Sequence, residues 1–198
     1  MKLIVQSVLM LAIFTVLTGI VYPLFITLVD QAAFNYQANG SLVKKNGRVV
    51  GSMLIGESFT NDSYFNGRPS ECDYDATNSG AFNYGPASSN LISMVNSKIA
   101  DVRNKNGLDA RSPVPADMVT ASASGLDPDI GIENAEIQAK RISRLRNIPI
   151  AALMEIVSNN MDSRVLGFWG IDKVNVLKLN LALDEMKNYK ITQTILTK

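Results

Sequence analysis

The longest apolar stretch of the chain lies at its start. No residue from Leu3 to Val29 is charged, and most of these residues are aliphatic or aromatic. A helix of that length reaches roughly 40 Å, which exceeds the roughly 30 Å hydrocarbon core of a bilayer. The pattern therefore predicts one transmembrane helix, with residues 1–30 as an anchor and residues 31–198 as a single domain outside the bilayer.

A cleaved signal peptide is the alternative interpretation of this stretch. Lys2 supplies the positive charge that a signal peptide carries at its start. The apolar run is, however, about twice the usual length of roughly 7–15 residues. Its end, Leu24–Leu28, stays apolar and offers no small-residue cleavage site. The sequence favours a retained anchor.

The charges that flank the span predict its orientation. Lys2 and the terminal amine precede the span, Asp30 follows it, and the next basic residues are Lys44 and Lys45. Cytoplasmic flanks carry the excess of positive charge. We therefore expect a cytoplasmic N-terminus and an extracytoplasmic domain.

Three residues within the span suggest contact with another helix. Thr15 and Gly19 form a small-xxx-small pair that allows close approach of a second helix. Pro23 lacks a backbone donor and frees the carbonyl of Gly19, so a kink is expected there. All three residue types are also ordinary in membrane helices, and that simpler interpretation stays open.

Beyond the span, alternating and helical patterns predict an α+β domain. Residues 41–45 and 48–55 are rich in strand formers and flank Asn46-Gly47, which favours a two-residue hairpin. The chain from Gly56 to Pro86 is loop-like, and so long a loop is usually functional or packed against a partner. Further predicted elements are helices over 91–102, 132–145, from Pro149 and from Asn175, an extended piece at 118–120 and a strand at Val165–Trp169, with a frayed end over 188–198.

Composition then narrows the function. The net charge of +1 does not indicate a nucleic-acid partner. The chain has no histidine and one cysteine, Cys72, which excludes the usual zinc sites, histidine-dependent triads and an internal disulfide. No phosphate-binding GxxxxGK[ST] loop or GxSxG nucleophile elbow is present. We expect no catalytic residue, metal or bound cofactor in this chain.

The remaining chemical candidates each have a simpler explanation. The acidic pairs Asp127/Asp129 and Asp73/Asp75 are typical of turns, where Asp binds its own backbone. Small residues at 120–125 either bind an anion or cap and pack. Cys72 is expected to be passive, and Phe168 and Trp169 are more often core residues than an interface anchor. The residues alone leave an accessory subunit and a small-ligand binding module open, with a tethered hydrolase third.

Seven segments, in order along nearly the whole chain, resemble the KdpC family. They are Tyr22-Pro23-Leu24, residues 37–42 (QANGSL), 51–56 (GSMLIG), 64–70 (YFNGRPS), 83–86 (NYGP), 119–128 (VTASASGLDP) and 174–184 (VNVLKLNLALD). Each segment alone is modest, but the ordered set is specific. The sequence departs from the family pattern at three positions. Asp129 and Asn160 stand where the family often has His, and Glu57 stands where it often has Gln. A mechanism that needs a titrating histidine is therefore not expected.

The resemblance implies the C subunit of the bacterial potassium-transporting P-type ATPase KdpFABC. The implied partners are a KdpA-like potassium-binding subunit, a KdpB-like ATP-hydrolysing subunit and a KdpF-like small subunit in the inner membrane. The complex uses ATP and potassium, and the family is described as a catalytic chaperone that raises the ATP affinity of the B subunit. The residues expected at partner interfaces are Thr15, Gly19, Pro23, Gln37, Asn39, Tyr64, Arg68, Asn83, Gly85, Ser124 and Asp127.

Overall fold

The chain forms two compact units in a computed structural model, Met1–Val50 and Gly51–Lys198. The backbone is described for residues 1–196 and the side chains for residues 1–186. Fraying is expected at 188–198. The side chains of these residues lie outside the described range, so the expectation stays a prediction. The fold combines one long apolar N-terminal helix with a mixed α/β domain that contains small sheets.

The N-terminal uncharged run forms one long helix, as predicted. It comprises α1 (Lys2–Val16), a π-helical segment (Leu17–Val21) and α2 (Tyr22–Ala33). By length and composition it can cross a membrane, and none of its most apolar window is buried. The π-helical segment ends two residues before Pro23, whose missing N–H disturbs the regular hydrogen bonding of the turn before it. A change of helix type thus lies where the sequence predicts a kink.

A short helix and a hairpin follow the membrane helix. Helix α3 covers Asn35–Ala38, and strands β1 (Leu42–Lys45) and β2 (Arg48–Ser52) pair with each other. Asn46 and Gly47 have φ values of 53° and 76°. Positive φ at both positions is what a two-residue hairpin turn requires, so the predicted hairpin is confirmed.

Four helices form the frame of the second unit. They are α4 (Ser89–Asn106), α5 (Ile132–Arg146), α6 (Ile150–Asn159) and α7 (Val176–Leu196). Helix α4 includes the predicted helix over 91–102, follows the N-cap Ser88 and ends at Gly107 in the left-handed conformation. Asn175 Oδ1 accepts the N–H of Lys178 at 3.1 Å, so Asn175 caps the last helix, which begins where the sequence predicts.

Three very short strands complete the domain. β3 (Asp129–Gly131) and β4 (Met161–Asp162) both pair antiparallel with the central β5 (Lys173–Asn175). Two sequence predictions are wrong nearby. The piece at 118–120 is not extended, because Ala116–Met118 form a 3₁₀ turn in which the N–H groups of Met118 and Val119 donate to the carbonyls of Pro115 and Ala116, each at 3.1 Å. Val165–Trp169 is a tight exposed turn instead of a strand, because φ is positive at Leu166 and Gly167.

The hydrophobic core lies between the helices and the three-stranded sheet. Its central side chains are Phe65, Ile130, Ala135, Ala139, Ile142, Leu153, Val174, Leu179 and Leu183. Phe65 belongs to the long segment 56–86, which contains no regular helix or strand, yet its side chain is fully buried. Burying an aromatic ring removes a large apolar area from water, so the segment is fixed to the domain at this point.

Candidate partner interface

Amide side chains of two helices hold the long segment 56–86 in place. Phe65 N–H donates to Asn180 Oδ1 at 2.8 Å, and Asn180 Nδ2 donates to the carbonyl of Phe65 at 2.9 Å. Gln138 makes the same pair of bonds with the backbone of Asn66, at 2.8 and 2.9 Å. Each amide thus replaces the neighbouring strand that these backbone groups lack. The segment has an ordered course although it forms no sheet.

Arg141 of α5 is a buried cation that binds neutral oxygens. Its Nε donates to the carbonyl of Asp62 at 2.8 Å and its Nη2 to that of Tyr64 at 2.7 Å. Its Nη1 donates to Asn106 Oδ1 at 2.9 Å, which links α5 to α4. Burial lowers the pKa of Arg141, since desolvation disfavours its charged form. Its role is to fix the start of the long segment.

The ion pair between Arg68 and Asp127 joins two of the predicted interface residues. Arg68 Nη1 lies 2.9 Å from Asp127 Oδ2, and Arg68 Nη2 donates to the carbonyl of Ala121 at 3.3 Å. The hydroxyl of Tyr74 donates to the carbonyl of Arg68 at 2.6 Å. Burial, and after it the charge of Asp127, raises the pKa of Tyr74 to about 12, so this hydroxyl keeps its proton at neutral pH.

Ser124 lies beside this pair in a turn that binds the segment around Cys72. Its carbonyl accepts the N–H of Gly80 at 3.1 Å and the hydroxyl of Ser79 at 2.9 Å. Its hydroxyl accepts the N–H of Leu126 at 3.1 Å. Cys72 is 8% exposed, which agrees with the passive role expected from the sequence. The small residues at 120–125 therefore pack and form a turn.

A shallow hollow brings three of the predicted residues to one surface. We define the outer hollow by Leu54, Ile55, Arg68, Ser124 and Asp127. Leu54 is 61% exposed, so a large apolar side chain stands in water beside an ion pair. Apolar side chains at the centre of a partly charged surface are typical of protein interfaces.

The other predicted residues of the domain lie elsewhere. The Tyr64 hydroxyl donates to Asp184 Oδ1 at 2.8 Å, and the Arg146 guanidinium lies 4.2 Å from the Tyr64 ring centroid. These contacts tie the long segment to α5 and α7. Asn83 and Gly85 are exposed, and Asn83 Nδ2 donates to the carbonyl of Ala81 at 2.8 Å. The structure does not bring these three residues to the outer hollow.

Five predicted residues belong to the first compact unit. Thr15, Gly19 and Pro23 are exposed along the membrane helix, and a Cβ added at Gly19 would meet nothing within 4 Å. Gln37 and Asn39 are exposed at the end of α3, where Asn39 Nδ2 donates to the carbonyl of Asn35 at 2.7 Å. Their contacts with partners stay predictions.

The acidic pairs that the sequence singles out form turns and ion pairs. Asp127 Oδ1 accepts the N–H of Asp129 at 3.1 Å, as predicted for a turn. Asp75 Oδ1 accepts the N–H and hydroxyl of Thr77 at 2.9 and 2.7 Å, and these bonds lower the pKa of Asp75. Asp129 pairs with Lys173, and its hydrogen bond raises the pKa of Lys173. Their carboxylates therefore serve the local structure.

Sequence reasoning missed the buried polar stripe on α5. Asn134, Gln138 and Arg141 are each at most 3% exposed and lie beside the apolar stripe of the same helix. Their spacing of four and three residues places them on one face. That spacing is visible in the sequence, but a polar stripe at helical spacing usually faces water. The apolar stripe directly beside it, Ala135, Ala139 and Ile142, was the available signal that this side of the helix is buried.

Comparisons with known proteins match nearly the whole chain. Residues 4–185 match the KdpC family, described as K⁺-transporting ATPase, c chain. A potassium-transporting ATPase KdpC subunit of Mycobacterium tuberculosis H37Rv is 47% identical over 179 residues, which cover 89% of this chain and 95% of the relative. A potassium-transporting ATPase KdpC subunit of Caldanaerobacter subterraneus is 44% identical, over 90% of this chain and 93% of the relative. The subunit of the same name from Methylococcus capsulatus is also 44% identical, over 91% of this chain and 96% of the relative.

Proposed function

The chain belongs to the KdpC family, and on this premise we propose that it is a non-catalytic accessory subunit of an ATP-driven potassium-import complex. The observation that carries the proposal is the match over residues 4–185, since it includes both the membrane helix and the domain. This chain covers more than nine-tenths of the length of relatives named potassium-transporting ATPase KdpC subunit.

The proposed arrangement follows the charges that flank the span. Residues 1–30 anchor the chain in the inner membrane with a cytoplasmic N-terminus, and residues 31–198 lie outside. The partners are KdpA-like, KdpB-like and KdpF-like subunits. In this arrangement the domain and the ATP are on opposite sides of the membrane. A direct contact with ATP is therefore disfavoured, and the domain acts as a clamp that stabilises the complex or screens the ion entrance.

The outer hollow is the proposed contact surface of the clamp. The exposed Leu54 supplies an apolar centre, and the Arg68–Asp127 pair supplies polar contacts at its border. Thr15, Gly19 and Pro23 are proposed to pack against helices of other subunits inside the membrane. Gln37, Asn39, Asn83 and Gly85 stay candidates for further contacts because they are exposed.

Co-purification and potassium uptake test this function. We expect a tagged chain, extracted from membranes in mild detergent, to retain the larger ATPase subunits, and deletion of its gene to abolish high-affinity uptake. Leu54→Glu places a charge in the outer hollow and should lower retention of the other subunits about tenfold, equivalent to about 1.4 kcal/mol. Its exposure means that the fold tolerates the charge.

Ile92→Glu is the matched control, because Ile92 is 54% exposed on α4 and does not line the hollow. It should retain the other subunits. Equal loss in both variants would exclude the hollow as the contact surface. A chain that purifies alone, with unchanged potassium uptake in the deletion strain, would exclude the accessory role itself. An altered KM for ATP in the Leu54→Glu complex would favour the chaperone description over the clamp.

A cleft beside the long segment favours a second candidate, a tethered module that binds a small polar ligand. The cleft has a volume of about 510 Å³ and is lined in part by Lys98, Asp101, Lys105 and Arg141. This volume is within the usual range for small-molecule sites, and side chains of both charges favour a small polar ligand. Titration of the purified full chain with small polar molecules discriminates, because a receptor binds its ligand without the other subunits.

A further inference from the structure

A small apolar hairpin projects from the three-stranded sheet of the domain. We define the apolar tip as residues 165–171, between β4 and β5. It contains no charged residue. Its five large side chains are between 66% and 80% exposed, and they are Val165, Leu166, Phe168, Trp169 and Ile171. A contiguous exposed patch of this kind marks an interaction surface.

Backbone hydrogen bonds give the apolar tip a defined form. Val165 N–H donates to the carbonyl of Trp169 at 2.9 Å, and Trp169 N–H donates to that of Val165 at 3.0 Å. Gly167 N–H donates to the carbonyl of Arg164 at 3.2 Å. Leu166 and Gly167 turn the chain with φ values of 55° and 79°. The closed backbone holds the apolar side chains outward.

Ion pairs neutralise the charges at the base of the tip. Arg164 Nε lies 3.4 Å from Asp172 Oδ2, and Arg164 N–H donates to Asp172 Oδ1 at 3.1 Å. Lys173 pairs with Asp129 across the sheet. Each cation next to the tip has an anionic partner. Attraction between the tip and a charged surface therefore contributes little to binding. The tip therefore suits an uncharged apolar environment.

We propose that the apolar tip inserts into the interfacial region of the bilayer that the chain's own helix spans. The five large apolar side chains of the tip are each at least 66% exposed, so none of them is buried by the rest of the domain. A fluid apolar layer can cover all of them at once. Tryptophan in particular is enriched where hydrocarbon meets headgroups.

The covalent tether makes even a weak contact of this kind effective. The domain unit begins at Gly51, about twenty residues after Val29, the last residue of the uncharged run. A short tether raises the effective concentration of the tip at the membrane surface. Insertion therefore restricts the orientation of the domain, and it does not depend on the proposed subunit function.

Trp169 is the only tryptophan of the chain, so its fluorescence reports on the tip alone. We would reconstitute the full chain into phosphatidylcholine vesicles and compare quenching by brominated phosphatidylcholine with quenching by aqueous iodide. The proposal predicts blue-shifted emission, strong quenching by the brominated lipid and protection from iodide. Emission typical of tryptophan in water, with quenching by iodide and none by the brominated lipid, would overturn it.

Paired variants separate insertion from changes in the fold. The double variant Leu166→Asp and Phe168→Asp retains Trp169 and should lose both the blue shift and the lipid quenching. Ile92→Asp, on exposed α4, should lose neither. Circular dichroism should show unchanged helix content in both variants. If Trp169 is shielded only in vesicles that also contain the other ATPase subunits, the tip docks on protein and the bilayer proposal is wrong.

Discussion

Gly125 shows how a single residue sets the geometry beside the outer hollow. Its φ is +69°, and its carbonyl accepts the hydroxyl of Ser70 at 2.7 Å. A Cβ at this position would lie 2.6 Å from Cys72 Sγ and 3.0 Å from the carbonyl oxygen of Gly80. Only glycine therefore fits both the backbone conformation and the available space.

Gly125→Ala should lower the free energy of unfolding by roughly 2–4 kcal/mol, because left-handed strain adds to the steric overlap with Cys72. Urea unfolding of the full chain in detergent, followed by circular dichroism, measures the change. Gly85→Ala is the matched control, since a Cβ there meets nothing within 4 Å. Similar losses in the two variants would contradict this explanation.

Pairing between distant residues is the part of the site that the sequence does not predict. Turn chemistry explains Asp127 from its neighbours alone, and the structure confirms that turn. Its ion pair with Arg68 joins positions 59 residues apart and depends on the folded course of the long segment. The burial of Arg141 also depends on the tertiary structure, since local patterns place a lone arginine on a surface.

Among the elements, α7 contributes a backbone contact as well as apolar packing. Asn180 is 2% exposed and binds both the N–H and the carbonyl of Phe65. Removal of this amide leaves two buried backbone groups without their partners. Such groups cost more than the net value of the bonds that they lose.

Asn180→Ala should therefore destabilise the domain by roughly 2–4 kcal/mol, measured as the shift of the urea midpoint at constant slope. The segment around Phe65 should also exchange its amide hydrogens faster. Asn159→Ala, at an exposed position near the end of α6, should change stability by about 0.5 kcal/mol or less. The expectation fails if Asn180→Ala unfolds at the same urea concentration as the unchanged chain.

Element type follows from the sequence where the pattern is long. Helices α4, α5 and α7 extend over several turns, so apolar spacing and end signals such as Gly107 and Asn175 identify them. Strands β3, β4 and β5 have two or three residues each, too few to show an alternation. The apolar run at 165–169 satisfies strand propensity but belongs to an exposed turn, because propensity does not distinguish a core from a contact surface.

At the scale of the whole molecule, sidedness is the property that most constrains the function. The flanking charges favour an outer domain, and the proposed clamp requires one. Cys72 is a poor reporter of sidedness, because its thiol is buried. Ser158 on α6 is exposed and offers a position for a reactive cysteine.

Ser158→Cys should react with a membrane-impermeant maleimide added to intact spheroplasts, because the proposed topology places α6 outside. The unchanged chain, with only the buried Cys72, is the control and should react much more slowly. Mass spectrometry of the purified chain measures the labelled fraction. Labelling of Ser158→Cys only after the membrane is permeabilised would reverse the topology and exclude the outer clamp.

The hydrogen bonds between Phe65 and Asn180 also set an order of events during synthesis. The two residues are 115 positions apart. Ribosomes add roughly 5–20 residues per second, so Asn180 is synthesised on the order of ten seconds after Phe65. In that time the membrane helix is complete, but the segment that carries Phe65 lacks the partner that fixes it. On the proposed topology, the domain is therefore translocated as an unfolded chain and folds only after its last helix has crossed.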